Sequence, residues 1–202
     1  MQAVRIAVIV EGDGECQAVP VLIRRIAREL DPGFVPAVLP PIRTRSSLLI
    51  KAGELERAVQ LAALKVQRGG GILVLLDCDD GCPAREGPEL LMRAKRARSD
   101  FLISVVLAKR EYEAWFLAAA DSLANKRGLP ASLEPPPDPE NVRDAKGWLS
   151  NKKGPGQRYS ETSDQAALTE LFDMASARRA DSFDKCYREI SAMLRRLREA
   201  SL

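Results

Sequence analysis

Two short apolar runs in this chain break off into acidic residues, and no other feature limits its fold so strongly. VRIAVIV (residues 4–10) runs into EGDGE (Glu11 to Glu15), and GILVLL (residues 71–76) runs into DCDDG (Asp77 to Gly81). Runs this short, rich in β-branched residues and closed by Gly and acid, read as buried parallel strands with loops at their carboxyl ends. Parallel strands point the same way. Glu11, Glu15, Asp77, Asp79 and Asp80 are therefore expected to converge on one rim of an α/β sheet, the edge where open sheets place ligands. Carboxylates gathered in one place repel one another and must take up either a proton or a cation. A hard, oxygen-liganded ion such as Mg²⁺ (or Mn²⁺) is the expected partner. Asp77 and Asp79 would face opposite sides of an extended segment, so a shared ion requires the chain to bend there.

Composition narrows the chemistry. With 0 His in 202 residues, a Ser-His-Asp triad, a Cys-His pair and histidine-based metal sites are all excluded. Any catalysis must use carboxylates, Lys, Arg, Tyr, Ser or Cys. The 4 Cys, at Cys16, Cys78, Cys82 and Cys186, match neither a zinc ribbon nor a dense disulfide framework, and read as small reduced thiols. No secretory signal is visible, and the apolar runs fall far short of the about 20 residues a bilayer span needs. A cytoplasmic protein without a membrane partner is the expectation. The net charge of +3, from 31 basic and 28 acidic residues, neither requires nor excludes a nucleic-acid partner.

Along the chain, strand and helix alternate. Val21, Leu22, Ile26 and Leu30 share one face of a helix, with Pro20 expected in its first turn and Asp31-Pro32-Gly33 ending it. PGFVPAVLPP offers an edge strand at best. A second helix is predicted from Leu48 to Val66, stopped by Gly69, Gly70 and Gly71, then a strand over Ile72 to Leu76, a basic helix in GPELLMRAKRARSD, and a strand over Phe101 to Ala108. That strand ends in KREYEAWF, which adds Glu111 and Glu113 to the candidates for the acidic rim, with Lys109 and Arg110 beside them to neutralise a phosphate. From Gly128 to about Ser160 the chain turns rich in Pro, Gly, Asp and Lys, a stretch that is either a functional loop or a link to the C-terminal helices. A helix over Asp164 to Ala175, introduced by Thr162 and Gln165 as a capping box, follows. The last helix starts at Ser182, and its apolar face of Phe183, Tyr187, Ile190, Leu194 and Leu197 docks on the sheet or on a second copy of the protein, as a homodimer. Trp115, Phe116 and Trp148 read as core or docking residues rather than platforms for bases.

The order of hydrophobic strand, EGxxE, second hydrophobic strand, DxDDG and following ExE resembles the Toprim domain of topoisomerases, bacterial primases, a ribosomal-RNA maturase and OLD-type nucleases. More narrowly, EGDGE, LLDCDD, KREYEAWFLA and the tail RYSETSDQAAL through DSFDKCYREI look like a small bacterial Toprim-like family catalogued as domain of unknown function 4276. The likeness covers most of the chain. It implies a Toprim-like, Rossmann-like, mostly parallel sheet flanked by helices over residues 1–127, with the Pro/Gly-rich loop and C-terminal helices packed on it over residues 128–202. It further implies that Glu11 binds metal or moves a proton, that Glu15 is the second acid of the nuclease branch, that Asp77 and Asp79 are DxD metal ligands, and that Lys109 stands in the place of a transition-state lysine. The nucleophilic tyrosine domain of topoisomerases has no room here.

Phosphodiester hydrolysis fits this set, with one ion at Glu11, Asp77 and Asp79 and a second near Glu15 and Glu111 or Glu113. Arg93, Lys95, Arg96 and Arg98 on one helix, and Lys152, Lys153 and Arg158 in the long loop, would hold nucleic acid, DNA or RNA, by its phosphates. Defence or repair is the setting the resemblance implies. Two rivals stand beside this reading. LLDCDDG also resembles haloacid-dehalogenase-type phosphatases, in which the first Asp of DxD is the nucleophile, but those carry the motif on their first strand with a later GDxxxD that is missing here. The other rival is a non-catalytic metal- or nucleic-acid-binding subunit of a separate ATPase partner. No Walker loop is present, so any ATP hydrolysis comes from another polypeptide.

Overall fold

The computed structural model describes residues 4–45, 49, 51–67 and 69–201. β1 (Arg5–Val10) leads into α1 (Asp13–Leu30), then two short strands, β2 (Ala37–Val38) and β3 (Ile42–Arg43). α2 (Glu54–Val66), β4 (Gly71–Asp77), α3 (Pro83–Ala97) and β5 (Leu102–Ala108) follow. All pairings between strands are parallel: β2 and β3 both lie against one side of β1, β4 lies against the other, and β5 closes the order beyond β4. After β3 the chain therefore crosses back over β1, and the direction of winding reverses between β1 and β4. In open α/β sheets the crevice at that reversal, beyond the strand carboxyl ends, is where ligands bind.

The apolar runs work as strands because both faces of the sheet are covered. Ile6, Val8 and Val10 of β1, Leu73 and Leu75 of β4, and Val106 and Ala108 of β5 face one core with α1 and the C-terminal helices. Ala7, Ile9, Ile72, Val74, Leu76, Val105 and Leu107 face a second core under α2 and α3. The C-terminal part adds α4 (Ala114–Ala118), α5 (Ala145–Lys152), a π-helical turn (Glu161–Gln165), α6 (Ala166–Leu171), α7 (Met174–Ala177) and α8 (Asp181–Glu199), with 3₁₀ turns at Ala120–Leu123 and Pro139–Asn141. α8 buries Phe183, Cys186, Ile190, Met193, Leu194 and Leu197. Burial of each large apolar side chain is worth about 2 kcal/mol. Its Phe183 stacks edge-on with Trp115 (5.2 Å) and Phe172 (5.3 Å), so the end of the chain shares a core with the sheet. Of the two docking faces open to the last helix, the sheet receives it.

Several local expectations need correction. Pro20 is not in a first turn: α1 starts at Asp13, because Glu15 already caps the Gly12 amide, and the proline sits inside the helix. The helix predicted from Leu48 starts at Glu54, after a turn in which Gly53 takes φ +89° and its amide is held by Glu56 Oε2 at 2.9 Å; Leu48 itself lies outside the described residues. The helix predicted from Asp164 to Ala175 is broken into the π turn, α6 and α7. Thr162 only meets Ser160 Oγ, while Asp164 is the buried anchor and Asp173 caps α7 through the Ser176 amide. α8 starts at Asp181, one residue before the predicted Ser182. The stretch from Gly128 to Ser160 carries α5, capped by Asp144 accepting from the Gly147 amide at 2.7 Å.

Candidate functional site

The turn after β1 is built around glycine. Gly12 donates its N–H to Glu15 Oε2 at 2.8 Å, and a side chain there would strike that carboxylate. Gly14 backs onto Gln165: a Cβ would collide with the amide oxygen and lie 2.9 Å from Cδ. The two glycines of EGDGE are thus spacers that let a helix N-terminus, a carboxylate and a distant amide share one place. Gln165 Nε2 donates to Glu15 Oε1 (3.1 Å) and to Glu113 Oε1 (3.2 Å), and Tyr159 OH donates to the same Glu113 oxygen at 2.7 Å. Glu15 is 6 % exposed and Glu113 is wholly buried. Glu113 Oε2 and Gln165 Oε1 are buried without a hydrogen-bond partner among the described residues. An orphan acceptor of this kind calls for a proton, a water or a cation.

β4 supplies the other wall. Asp77 continues the alternation of Leu73 and Leu75 towards the α1 side, and its Oδ1 accepts from the Tyr112 amide at 2.9 Å. Burial, then the carboxylates of Glu113 and Glu15, push its pKa well above the usual carboxylate range. Glu113 is raised to about 7, chiefly by burial, against the opposing pull of Lys146. Lys146, at the start of α5, loses stability as a cation through burial, but Glu113, Glu161 and Asp77 outweigh that and hold its pKa above the ordinary value. Its Nζ lies 2.6 Å from Glu161 Oε1. The interior of the site is therefore a group of buried and half-buried acids threaded by Lys146. Extending the pairing of Ile9 with Val74 sets Glu11 beside Leu76 and Gly12 beside Asp77, so the two strand exits lie side by side. Glu11 is partly buried, and its carbonyl accepts from Arg43 Nε at 3.3 Å.

The remaining acids of DCDDG turn outward. The chain bends after Asp77, but it carries Asp79 outward rather than round to face the same ion: Asp79 has φ +45° and bridges Arg110, itself at φ +67°. Two non-glycine residues in left-handed conformations, facing each other at a sheet rim, mark stored strain. Asp80 is held by Arg110 and by Arg143 (3.3 Å). Asp79, Asp80, Arg110, Glu111 and Arg143 line a small cavity of about 90 Å³. Glu111, raised by burial, links this outer group to the inner one by accepting from the Lys146 amide at 3.3 Å. The seven acids expected at one rim thus divide into an inner set (Glu15, Asp77, Glu113), an outer set (Asp79, Asp80, Glu111), and Glu11 at the mouth of β1. Among the described residues, no three carboxylate or thiol side chains are arranged as a ready metal cage.

Lys109 stands apart. Its amide donates to Ser182 Oγ at 3.1 Å and the residue lines a cavity between the first turns of α3 and α8. The lysine that acts on the inner acids is Lys146. The basic residues also separate. Arg93 grips Glu56 through two bonds of 2.8 and 3.0 Å, and Arg98 grips Asp100 through two more of 2.8 and 2.7 Å. Lys153 is buried against Asp164 at 2.5 Å, where it holds the π turn. Lys95, Arg96, Lys152 and Arg158 remain exposed. Trp115 and Phe116 are buried. All four cysteines are free, and Cys78, pushed up to about 12 by burial and Glu86, is not a thiolate nucleophile at neutral pH.

Lys146, Tyr159, Glu161 and Gln165 are the participants that pattern reading missed. Lys146 lies in the polar stretch read as a functional loop or link, and Tyr159, Glu161 and Gln165 lie in the tail motif RYSETSDQAAL, which carries the family resemblance without pointing to a chemical role. No helix among the described residues is long and apolar enough to cross a membrane. No curated protein and no solved structure matches the chain. Residues 10–191, which take in every strand exit and all of the inner site, match the family described as domain of unknown function DUF4276, and the chain belongs to it.

Proposed function

We propose that this protein is a Toprim-type, Mg²⁺- or Mn²⁺-dependent phosphodiesterase acting on nucleic acid. The observation that carries the reading is the inner group itself: Asp77, Glu15 and Glu113 meet at the reversal point of a parallel sheet, and Glu113 Oε2 is buried with no partner among the described residues. The donor set fits a hard cation. Mg²⁺ is typically held by one or two carboxylates and keeps its waters, so a preformed cage is not required. Asp77 and Glu113, with Glu11 and Glu15 at the neighbouring turn, would hold the ion, which when bound supplies Lewis-acid polarisation of a phosphoryl oxygen. The Tyr112 amide fixes the Asp77 rotamer, and Gln165 spaces Glu15 from Glu113. Lys146 is positioned to offset negative charge that develops beside these acids. The exposed Lys152 and Arg158 would meet phosphates of the bound strand.

One observation favours a second reading. Lys146 already places a cation among the acids, which would let the site stand without turnover in a non-catalytic metal- or nucleic-acid-binding subunit of a partner ATPase system. The test is cleavage of plasmid, single-stranded DNA and RNA in Mg²⁺ or Mn²⁺. Metal-dependent cleavage that falls about 100-fold or more in Asp77→Ala and Glu11→Ala supports hydrolysis. Cleavage indifferent to both substitutions, or no cleavage of any substrate, defeats it.

A further inference from the structure

The two edges of the sheet are treated differently. On one side β2 is two residues long and is bracketed by Pro36, Pro40 and Pro41, a blunted edge that cannot accept another strand. On the other side β5 is seven residues long, contains no proline, and pairs only with β4 among the described residues. The direction of its free hydrogen-bonding groups follows from two contacts. The Cys78 amide reaches back to Ala108 O, whereas the Lys109 amide turns away from β4 to Ser182 Oγ. Alternation along the strand then directs the N–H and C=O groups of Phe101, Ile103, Val105 and Leu107 away from β4, and of these Val105 and Leu107 are covered (2 % and 3 % exposed) while Phe101 and Ile103 border open space.

That edge is the floor of a trench. α3 and α8 rise on either side, and a cavity of about 660 Å³ runs along Phe101, Leu102, Ile103 and Ser104. Four consecutive residues, drawn from both faces of the sheet, can line one cavity only if it follows the strand edge itself. A second, separate cavity of about 490 Å³ lies beyond the buried Val105, at Leu107 and Lys109 beside the first turns of the two helices. The walls are apolar low down, at Leu91 and Met193, and basic at the rim, at Lys95, Arg188 and Arg196, with Arg96 just beyond. Lys95, Arg96 and Arg196 are exposed and have no carboxylate partner among the described residues. Arg188 is paired with Asp184, and Glu189 accepts from Ser104 Oγ.

We propose that this trench takes an acidic, extended segment of a separate polypeptide as an added strand. The outward N–H and C=O groups at Phe101 and Ile103 would pair with its backbone, Leu91, Phe101 and Met193 would receive its apolar side chains, and Lys95, Arg96 and Arg196 its acids. A second copy of this chain is disfavoured, since edge-to-edge pairing about a two-fold axis would set the same basic rims against each other. Nucleic acid has no use for an unpaired strand edge. The larger cavity lies at the amino-terminal end of β5 and is lined by none of the inner acids, so this proposal stands or falls separately from the one above.

The experiment uses the full-length protein, isotope-labelled for amide exchange, with a short synthetic peptide of alternating valine and glutamate as the probe. In the free protein the amide of Ile103 should exchange much faster than those of Leu102 and Ser104. Peptide should slow it, the lysine counterpart of the peptide should not, and the triple variant Lys95→Glu/Arg96→Glu/Arg196→Glu should bind about tenfold more weakly or worse. Protection of the Ile103 amide equal to that of its two neighbours in the free protein at low concentration overturns the proposal. So does concentration-dependent dimerisation that protects it, or an oligonucleotide that competes at this residue where the acidic peptide does nothing.

Discussion

At Gly14 a single hydrogen atom separates a close fit from a collision. Gly14→Ala drives a methyl group into the buried Gln165 amide, and overpacking of this kind costs about 1–3 kcal/mol. Chemical denaturation should show that loss, and should show most of it vanish when Gly14→Ala is made in a Gln165→Ala background. An additive result would mean the two residues do not meet. Glu113 gives a pH signature. Its carboxyl is raised from 4.5 to about 7 in the folded protein, so the native state holds a proton that the unfolded chain has released. Stability contributed by the neutral form is complete below about pH 4.5 and is lost as pH rises through about 7, by on the order of 3 kcal/mol. Glu113→Gln should flatten that part of the metal-free stability profile; an unchanged slope would assign it to another group. Legibility divides at this scale. Glu11 and Asp77 are readable because each ends an apolar run, where the change from buried strand to acidic turn is local. Gln165 is not, because 150 residues separate it from Glu15, and no periodicity encodes a contact of that range.

At the scale of elements, β1, β4 and β5 follow directly from continuous β-branched runs, and the face presented by α8 from its four-and-three spacing. Boundaries were harder to read wherever a side chain from elsewhere sets them. α1 gains two early turns from Glu15, and the π turn exists because Arg127, Lys153 and the Ser160 amide all converge on Asp164. The basic helix α3 has part of its charge committed within the fold. Its arginines look like a phosphate-binding face, but Arg93 joins α3 to Glu56 of α2, and that pairing draws the Glu56 carboxyl down to about 2. A depressed acid stabilises the fold above its unfolded pKa of about 4.5 and stops doing so as pH falls towards about 2. Glu56→Gln should therefore cost about 1 kcal/mol at neutral pH. The difference from the native protein should close on acidification, as read by thermal unfolding at successive pH values. A gap that persists at low pH would show that the bond, not the charge, matters.

For the whole molecule, the C-terminal segment is part of the wall of the site as well as of the core. Lys146, Tyr159 and Gln165 reach the inner acids from it, and α8 covers the α1 side of the sheet. Deleting residues 181–202 would expose Val106, Trp115 and Phe172 to water. The expected product has no cooperative unfolding transition and binds hydrophobic dyes. A shortened chain that melts sharply would show the sheet and its other helices to be self-sufficient.

The π turn makes the arrangement sensitive to arithmetic of chain length. A turn closed over five residues holds one more than an α-turn does, and that surplus lets Glu161 point to Lys146 while Asp164 and Gln165 point to two other partners. Excising Ser163, an exposed residue touching none of the acids, would tighten the coil and rotate its neighbours out of phase. Spacing alone could then disconnect the amide from the acids, with every named side chain still present.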